Sequence, residues 1–101
     1  MVKLRPEKED EYHRLHDMVW PEVLRRLRES NVHNFSIFLR DGLLFSYFEH
    51  TGADYDADIA SIAAHPGTQR WWELTSPCQE PVASAAAGEL WAPMEEVFHA
   101  D

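Results

Sequence analysis

The chain has 101 residues, six of them His, and a formal net charge of −9. A single domain spanning residues 1–101 is expected, and at that size about 60–70% of the unfolded surface is buried on folding. The acid excess argues against nucleic acid and anionic membrane surfaces, which require clustered Lys and Arg, and leaves a neutral small-molecule ligand unaffected.

Five Phe, four Trp and three Tyr are a heavy aromatic load for so short a chain. They imply a crowded core or a buried contact between subunits. The lone cysteine, Cys78, excludes an internal disulfide. The opening MVKLRPEKEDEY lacks the apolar stretch of a signal peptide, and no apolar run approaches the roughly 20 residues of a membrane span. A soluble, cytoplasmic domain is expected.

In chain order, residues 2–5 read as a short strand ended by Pro6. From Lys8, Tyr12, Leu15, Val19, Val23 and Leu27 recur at helical steps and define one apolar face. Pro21 interrupts this pattern, so the helix either kinks near Asp17 or restarts with Pro21 as its first residue. It ends near Ser30 and Asn31. Two strands follow, His33–Arg40 and Leu43–His50, joined by the hairpin dipeptide Asp41-Gly42. That turn sets Leu39 opposite Leu44, Ile37 opposite Ser46 and Phe35 opposite Phe48. One face then carries His33, Phe35, Ile37, Leu39, Leu44, Phe48 and His50, and the other carries Asn34, Ser36, Phe38, Leu43, Phe45 and Tyr47. Both are substantially apolar, unlike a sheet with one wet face, which implies helices on one side and a second subunit on the other. Asp54–Ala64 reads as a second helix broken at Pro66-Gly67. Thr68 is expected to cap a short helix through Trp72 to Leu74, stopped by Pro77. Val82–Gly88 is Ala-rich, and Met94–His99 reads as a last strand. The fold class is α+β with ferredoxin-like βαββαβ order and helices on one face of an antiparallel sheet.

Tyr12, His16 and Trp20 are spaced four apart and on a continuous helix would line one edge. Imidazole is the natural acid/base group near neutral pH. Two readings stand for His16: a proton-transfer group, or a half-buried helix histidine packed on aromatics. Trp71 and Trp72 are adjacent, so on a helix one points to the core while the other faces a cleft. Such a ring suits the apolar C–H face of a sugar. His13 and His16, with Glu9, are spaced to share a metal, but matching ligands elsewhere are lacking, and no CxxC, HExxH, GxSxG or phosphate-binding glycine loop is present. His65 and His99 read as surface residues and Cys78 as structural. Glu95-Glu96 reads as a solvated edge or as the source of one carboxylate.

Taken in order, Tyr12-x-x-x-His16, Trp20-Pro21-Glu22, His33-Asn34-Phe35-Ser36-Ile37-Phe38-Leu39, Gln69-Arg70-Trp71-Trp72 and Met94-Glu95-Glu96-Val97-Phe98 resemble the L-rhamnose mutarotase family over nearly the whole chain. The resemblance implies a subunit that dimerises through its sheets into an α/β barrel, and it implies roles for individual residues. His16 matches the family's proton-donating histidine, Tyr12 a substrate-contacting tyrosine, and Trp71 and Trp72 its sugar-binding pair. Phe35 stands where the family usually has a sugar-contacting tyrosine. The segment before Pro6 is several residues shorter than usual.

The reaction so implied interconverts the α and β anomers of L-rhamnose, or of a related deoxy sugar, without metal or cofactor. An acid protonates the ring oxygen while a base takes the anomeric hydroxyl proton; the ring opens, rotates and recloses. His16 is the expected acid, with water, Glu95 or Glu96 as base. Two alternatives share the barrel: a cofactor-independent monooxygenase or small isomerase handling aromatic ligands, and a non-catalytic sugar-binding dimer.

Overall fold

The computed structural model describes all residues, 1–101. Four antiparallel strands, β1 (Val2–Leu4), β2 (Val32–Arg40), β3 (Leu43–His50) and β4 (Gln79–Glu80), form one sheet in the order β2-β3-β1-β4. The helices are α1 (Glu9–Asp17), α2 (Pro21–Glu29), α3 (Tyr55–Ala64) and α4 (Pro66–Thr75), with 3₁₀ turns at Pro6–Lys8 and Ser76–Cys78. This is the βαββαβ order expected, with both outer strands flanking a central β3–β1 pair.

Pro21 divides the first helical region. A proline ring clashes with the carbonyl four residues back, and α1 ends at that residue, Asp17. Trp20, held extended as residues before proline are, precedes a fresh helix with Pro21 at its first position. Of the two outcomes foreseen, the restart is the one realised. Glu9, Asp10 and Glu11 lie in the first turn of α1, where the helix dipole favours negative charge. Asn31, at φ 62°, turns the chain out of α2 into β2.

The β2–β3 hairpin closes through Asp41 and Gly42, both at positive φ (53° and 71°), as a tight turn of matching twist demands. Leu39 pairs with Leu44 and Ile37 with Ser46, as expected. The register then shifts between His33 and Ser36, so that His33 pairs with Glu49 and Val32 with His50. Asn34, at φ 49°, supplies the extra residue; Asn is among the few residues that tolerate this region. The bulge moves His33 to the opposite face and gives its place to Val32, which is buried. Phe35 stays on the helix-covered face, its ring stacked on Phe48 at 5.8 Å.

Val2, Leu4, Tyr12, Leu44 and Cys78 form the core between α1 and the sheet, flanked by Leu15, Ile37, Leu39, Leu90 and Trp91. The other face is uncovered: Phe38 and Tyr47 are 59% and 55% exposed.

Two further expectations are corrected. Thr68 does not cap α4. The helix begins at Pro66, and His65 caps it, its Nδ1 accepting the Thr68 N–H at 3.1 Å. Pro66 has no N–H to satisfy and so suits the first position. Met94–His99 is not a strand. The place beside β1 is taken by Gln79–Glu80, and further along Ala92 exchanges both backbone hydrogen bonds with Met1. Beyond Ala92 the chain has no strand to pair with, and Val97 and Phe98 are exposed.

Candidate functional site

Tyr12 and His16 lie one turn apart on α1, with ring centroids 4.2 Å apart. Trp71, from the buried side of α4, meets His16 edge-on at 5.5 Å and Trp20 at 5.3 Å. Because α1 stops at Asp17, Trp20 does not continue the helical edge. Trp71 bridges the gap instead, and the four rings form one cluster.

The hydrogen bonds around His16 fix its chemistry. Its Nδ1 lies 2.8 Å from the Tyr12 carbonyl oxygen. A carbonyl can only accept, so Nδ1 carries a proton and donates it. Nε2 is then the ring nitrogen left without a hydrogen-bond partner in the chain. His16 is half-buried against two aromatic neighbours, Tyr12 and Trp71, and its orientation is set from both sides: the backbone bond at Nδ1 and the Trp71 ring.

Tyr12 is 5% exposed. Its hydroxyl oxygen accepts from Gln79 Nε2 at 3.3 Å, and Gln79 Oε1 accepts from the Trp91 indole N–H at 3.2 Å. Burial pushes the Tyr12 phenol above its usual range, and the Gln79 hydrogen bond partly offsets that rise. Gln79 and Trp91 escaped the sequence reading. Gln79 follows Cys78 in a two-residue strand without alternation, and Trp91 lies outside any regular element.

Trp72 and Phe35 are not in ring contact with this cluster. Trp72, 42% exposed, lies on the adjoining face of α4 and lines a shallow, open depression of about 540 Å³ with Gln69, Glu73, Ser76 and Pro77. Phe35, 44% exposed, begins an aromatic row with Phe48 and Tyr55, whose rings are parallel at 6.5 Å. The structure therefore brings Tyr12, His16 and Trp71 together. It sets Trp72 at the edge of the helix and Phe35 on the sheet. Glu95 and Glu96 are exposed in the tail.

A second polar group sits at the far end of β3. Asp58 Oδ2 accepts from Asn31 Nδ2 at 3.0 Å and lies 2.7 Å from His50 Nε2. These bonds, Asn31 first, hold the Asp58 carboxyl below its usual range. The group ties the start of β2 to α3. Gly52 runs beside it, where a Cβ would collide with Asp58 Oδ2.

The chain is similar to known proteins over its whole length. The family model for L-rhamnose mutarotase matches residues 1–100. The chain is 31% identical to the L-rhamnose mutarotase of Oceanobacillus iheyensis, over all of this chain and 94% of that protein. It is 34% identical to that of Sinorhizobium fredii, covering 97% and 91% of the two chains. Against that of Opitutus terrae the identity is 37%, over 92% and 86%. The crystal structure of the L-rhamnose mutarotase from Formosa agariphila superposes with a TM-score of 0.73 at 24% identity, covering 99% of this chain and 93% of that one. It has the same fold.

Proposed function

The chain belongs to the L-rhamnose mutarotase family, and we propose that it interconverts the α and β anomers of L-rhamnose, or of a closely related deoxy sugar, by acid/base-catalysed ring opening and closure. The observation that carries this reading is the His16 geometry: Nδ1 committed to the Tyr12 carbonyl, Nε2 without a hydrogen-bond partner in the chain, and rings on either side fixing the imidazole plane.

His16 Nε2–H donates to the ring oxygen as the C1–O5 bond breaks, while water takes the anomeric hydroxyl proton. Rotation about C1–C2 presents the other face of the aldehyde; on ring closure the O5 proton returns to Nε2 and water gives its proton back to the new anomeric oxygen. Positioned proton transfer of this kind contributes about 10²–10⁴-fold, and holding the sugar in a reactive orientation adds to it. Tyr12 orients the sugar. Trp71 frames His16 and borders the sugar, and the half-exposed Trp72 supplies the face on which the apolar side of the sugar stacks. Phe35 is a further apolar sugar contact in the same proposal. No step uses a metal or a cofactor.

A second copy of this chain covers the open face of the sheet in the same proposal, closing two sheets into a barrel. Phe38 and Tyr47, together with the half-buried Leu43 and Phe45, make that face apolar, and the exposed Met94, Val97 and Phe98 offer further apolar surface for the contact. The assignment is to a cytoplasmic sugar enzyme that binds neither nucleic acid nor membrane. The charge of −9 and the free, buried Cys78 support it, and no helix is long and apolar enough to cross a membrane.

Freshly dissolved crystalline L-rhamnose relaxes to its anomeric equilibrium with a change in optical rotation, which gives the test. The protein should speed the relaxation. His16→Ala should abolish the gain while circular dichroism and thermal unfolding stay close to those of the unaltered chain. A folded His16→Ala protein that catalyses undiminished would overturn the role of His16.

A further inference from the structure

We propose that Gln79, held in one orientation by Trp91, is a positioning residue that makes the Tyr12 hydroxyl a hydrogen-bond donor to the sugar. The inference rests on reading Tyr12 as a sugar contact.

An amide side chain is ambiguous until its partners decide which end is which, and here they do. An indole N–H can only donate, so the Gln79 atom 3.2 Å from Trp91 Nε1 is the carbonyl oxygen. The amide nitrogen therefore faces Tyr12 Oη and donates to it. A phenol whose oxygen accepts from one side turns its own proton to the other. No group in the chain accepts that proton, although Tyr12 is 5% exposed. A nearly buried hydroxyl with its acceptor side filled and its donor side unfilled is prepared for an oxygen-bearing ligand. Were the amide reversed, Tyr12 would spend its proton on Gln79 and could only accept from a sugar. The Trp91 N–H prevents that reversal.

Each link of this chain is held by a separate part of the fold. Tyr12 stands in the core beside Leu44 and Val2. Gln79 is buried on β4, paired with Leu4 of β1. Trp91 is fixed by the two backbone bonds between Ala92 and Met1. The segment after Val82 carries no regular structure, but through Trp91 it acts on the site. The arrangement favours a sugar oxygen with lone pairs free, such as a ring oxygen or a hydroxyl that itself donates elsewhere.

The test compares Tyr12→Phe, Gln79→Glu, Trp91→Phe and the double variant Tyr12→Phe with Gln79→Glu, measuring kcat and KM for L-rhamnose anomerisation. An ionised carboxyl at position 79 accepts from both neighbours and takes the Tyr12 proton at nearly unchanged volume. Gln79→Glu should lower kcat/KM by about two- to twelvefold, the worth of a neutral hydrogen bond. Its defect should ease as pH falls, because a protonated carboxyl donates to Tyr12 as the amide does; lost packing has no such signature. Trp91→Phe, which keeps the ring and frees the amide to reverse, should lose less. In the double variant the Gln79→Glu defect should vanish into that of Tyr12→Phe. Wild-type kinetics in Gln79→Glu and Trp91→Phe beside a slow Tyr12→Phe would overturn the proposal, as would additive defects in the double variant. Wild-type kinetics in Tyr12→Phe would instead remove the sugar contact on which it rests. Ultraviolet titration of the phenols decides the orientation without activity, taking the transition missing from Tyr12→Phe as that of Tyr12. Gln79→Glu should move this transition to higher pH, and an unmoved transition counts against the bond.

Discussion

Replacing Phe35 by Tyr adds the hydroxyl that the family resemblance implies at this point of β2. The structure indicates what the change does to folding. The Phe35 ring is 44% exposed and lies parallel to Phe48, with an interplanar angle of 9° at 5.8 Å. A hydroxyl on a half-exposed ring enters no closed cavity, and stability should stay within about 0.5 kcal/mol, as for other surface changes. The bulge at Asn34 keeps residue 35 on the face that meets the helices, and in the proposed function that places the new group toward the sugar. One neutral hydrogen bond adds about 0.5–1.5 kcal/mol. At 1.4 kcal/mol per factor of ten this lowers KM by about two- to twelvefold. Because the bond would form equally in ground and transition states, kcat should change little. The assay is anomeric exchange at graded L-rhamnose concentrations, with thermal unfolding measured alongside. An unchanged or higher KM in a normally folded Phe35→Tyr protein would refute the placement of residue 35 at the sugar.

Leu44→Ala removes a side chain that is 1% exposed at the centre of the core cluster. A loss of about 2–5 kcal/mol is expected, which in a domain of this size lowers Tm by at least about 8 °C; differential scanning calorimetry measures it, and a shift of only a few degrees would contradict the core assignment. Asp58→Asn tests the far-end polar group by pH. The folded Asp58 carboxyl is held below its usual range by Asn31 and His50. Its stabilisation is therefore complete above the unfolded carboxylate value of about 3.9 and is lost as pH falls through the lower, folded value. The variant should be less stable at neutral pH and show a flatter loss of stability in acid, measured by urea unfolding across that range; parallel curves for the two proteins would count against the bond network.

Much of the site was readable because its residues sit on strongly patterned elements. The spacing of Tyr12 and His16 is a helical repeat, and Asp41-Gly42 admits few conformations other than the tight turn found. Pro21 had to kink the helix or begin a new one, and it begins a new one. What could not be read depended on partners far along the chain. The bulge at Asn34 breaks an alternation that looks unbroken in sequence, because Asn accepts positive φ without announcing it. His65 caps α4 through a ring nitrogen, a role composition assigns to shorter polar side chains. Val97 and Phe98 have strand-like composition, yet strand formation needs a neighbour, and Gln79–Glu80 holds that position in spite of its polar sequence. Gln79 is buried only because Tyr12 and Trp91 satisfy both ends of its amide, and the three are brought together by the topology of the sheet.

The central claim is tested most directly by proton NMR saturation transfer between the α and β H1 resonances of L-rhamnose, recorded with and without the protein at mildly acidic to neutral pH. Transfer that appears with the protein and is lost with His16→Ala is the predicted result. Anomeric resonances that exchange no faster with the folded wild-type protein than in buffer, for L-rhamnose and for L-fucose alike, would contradict it.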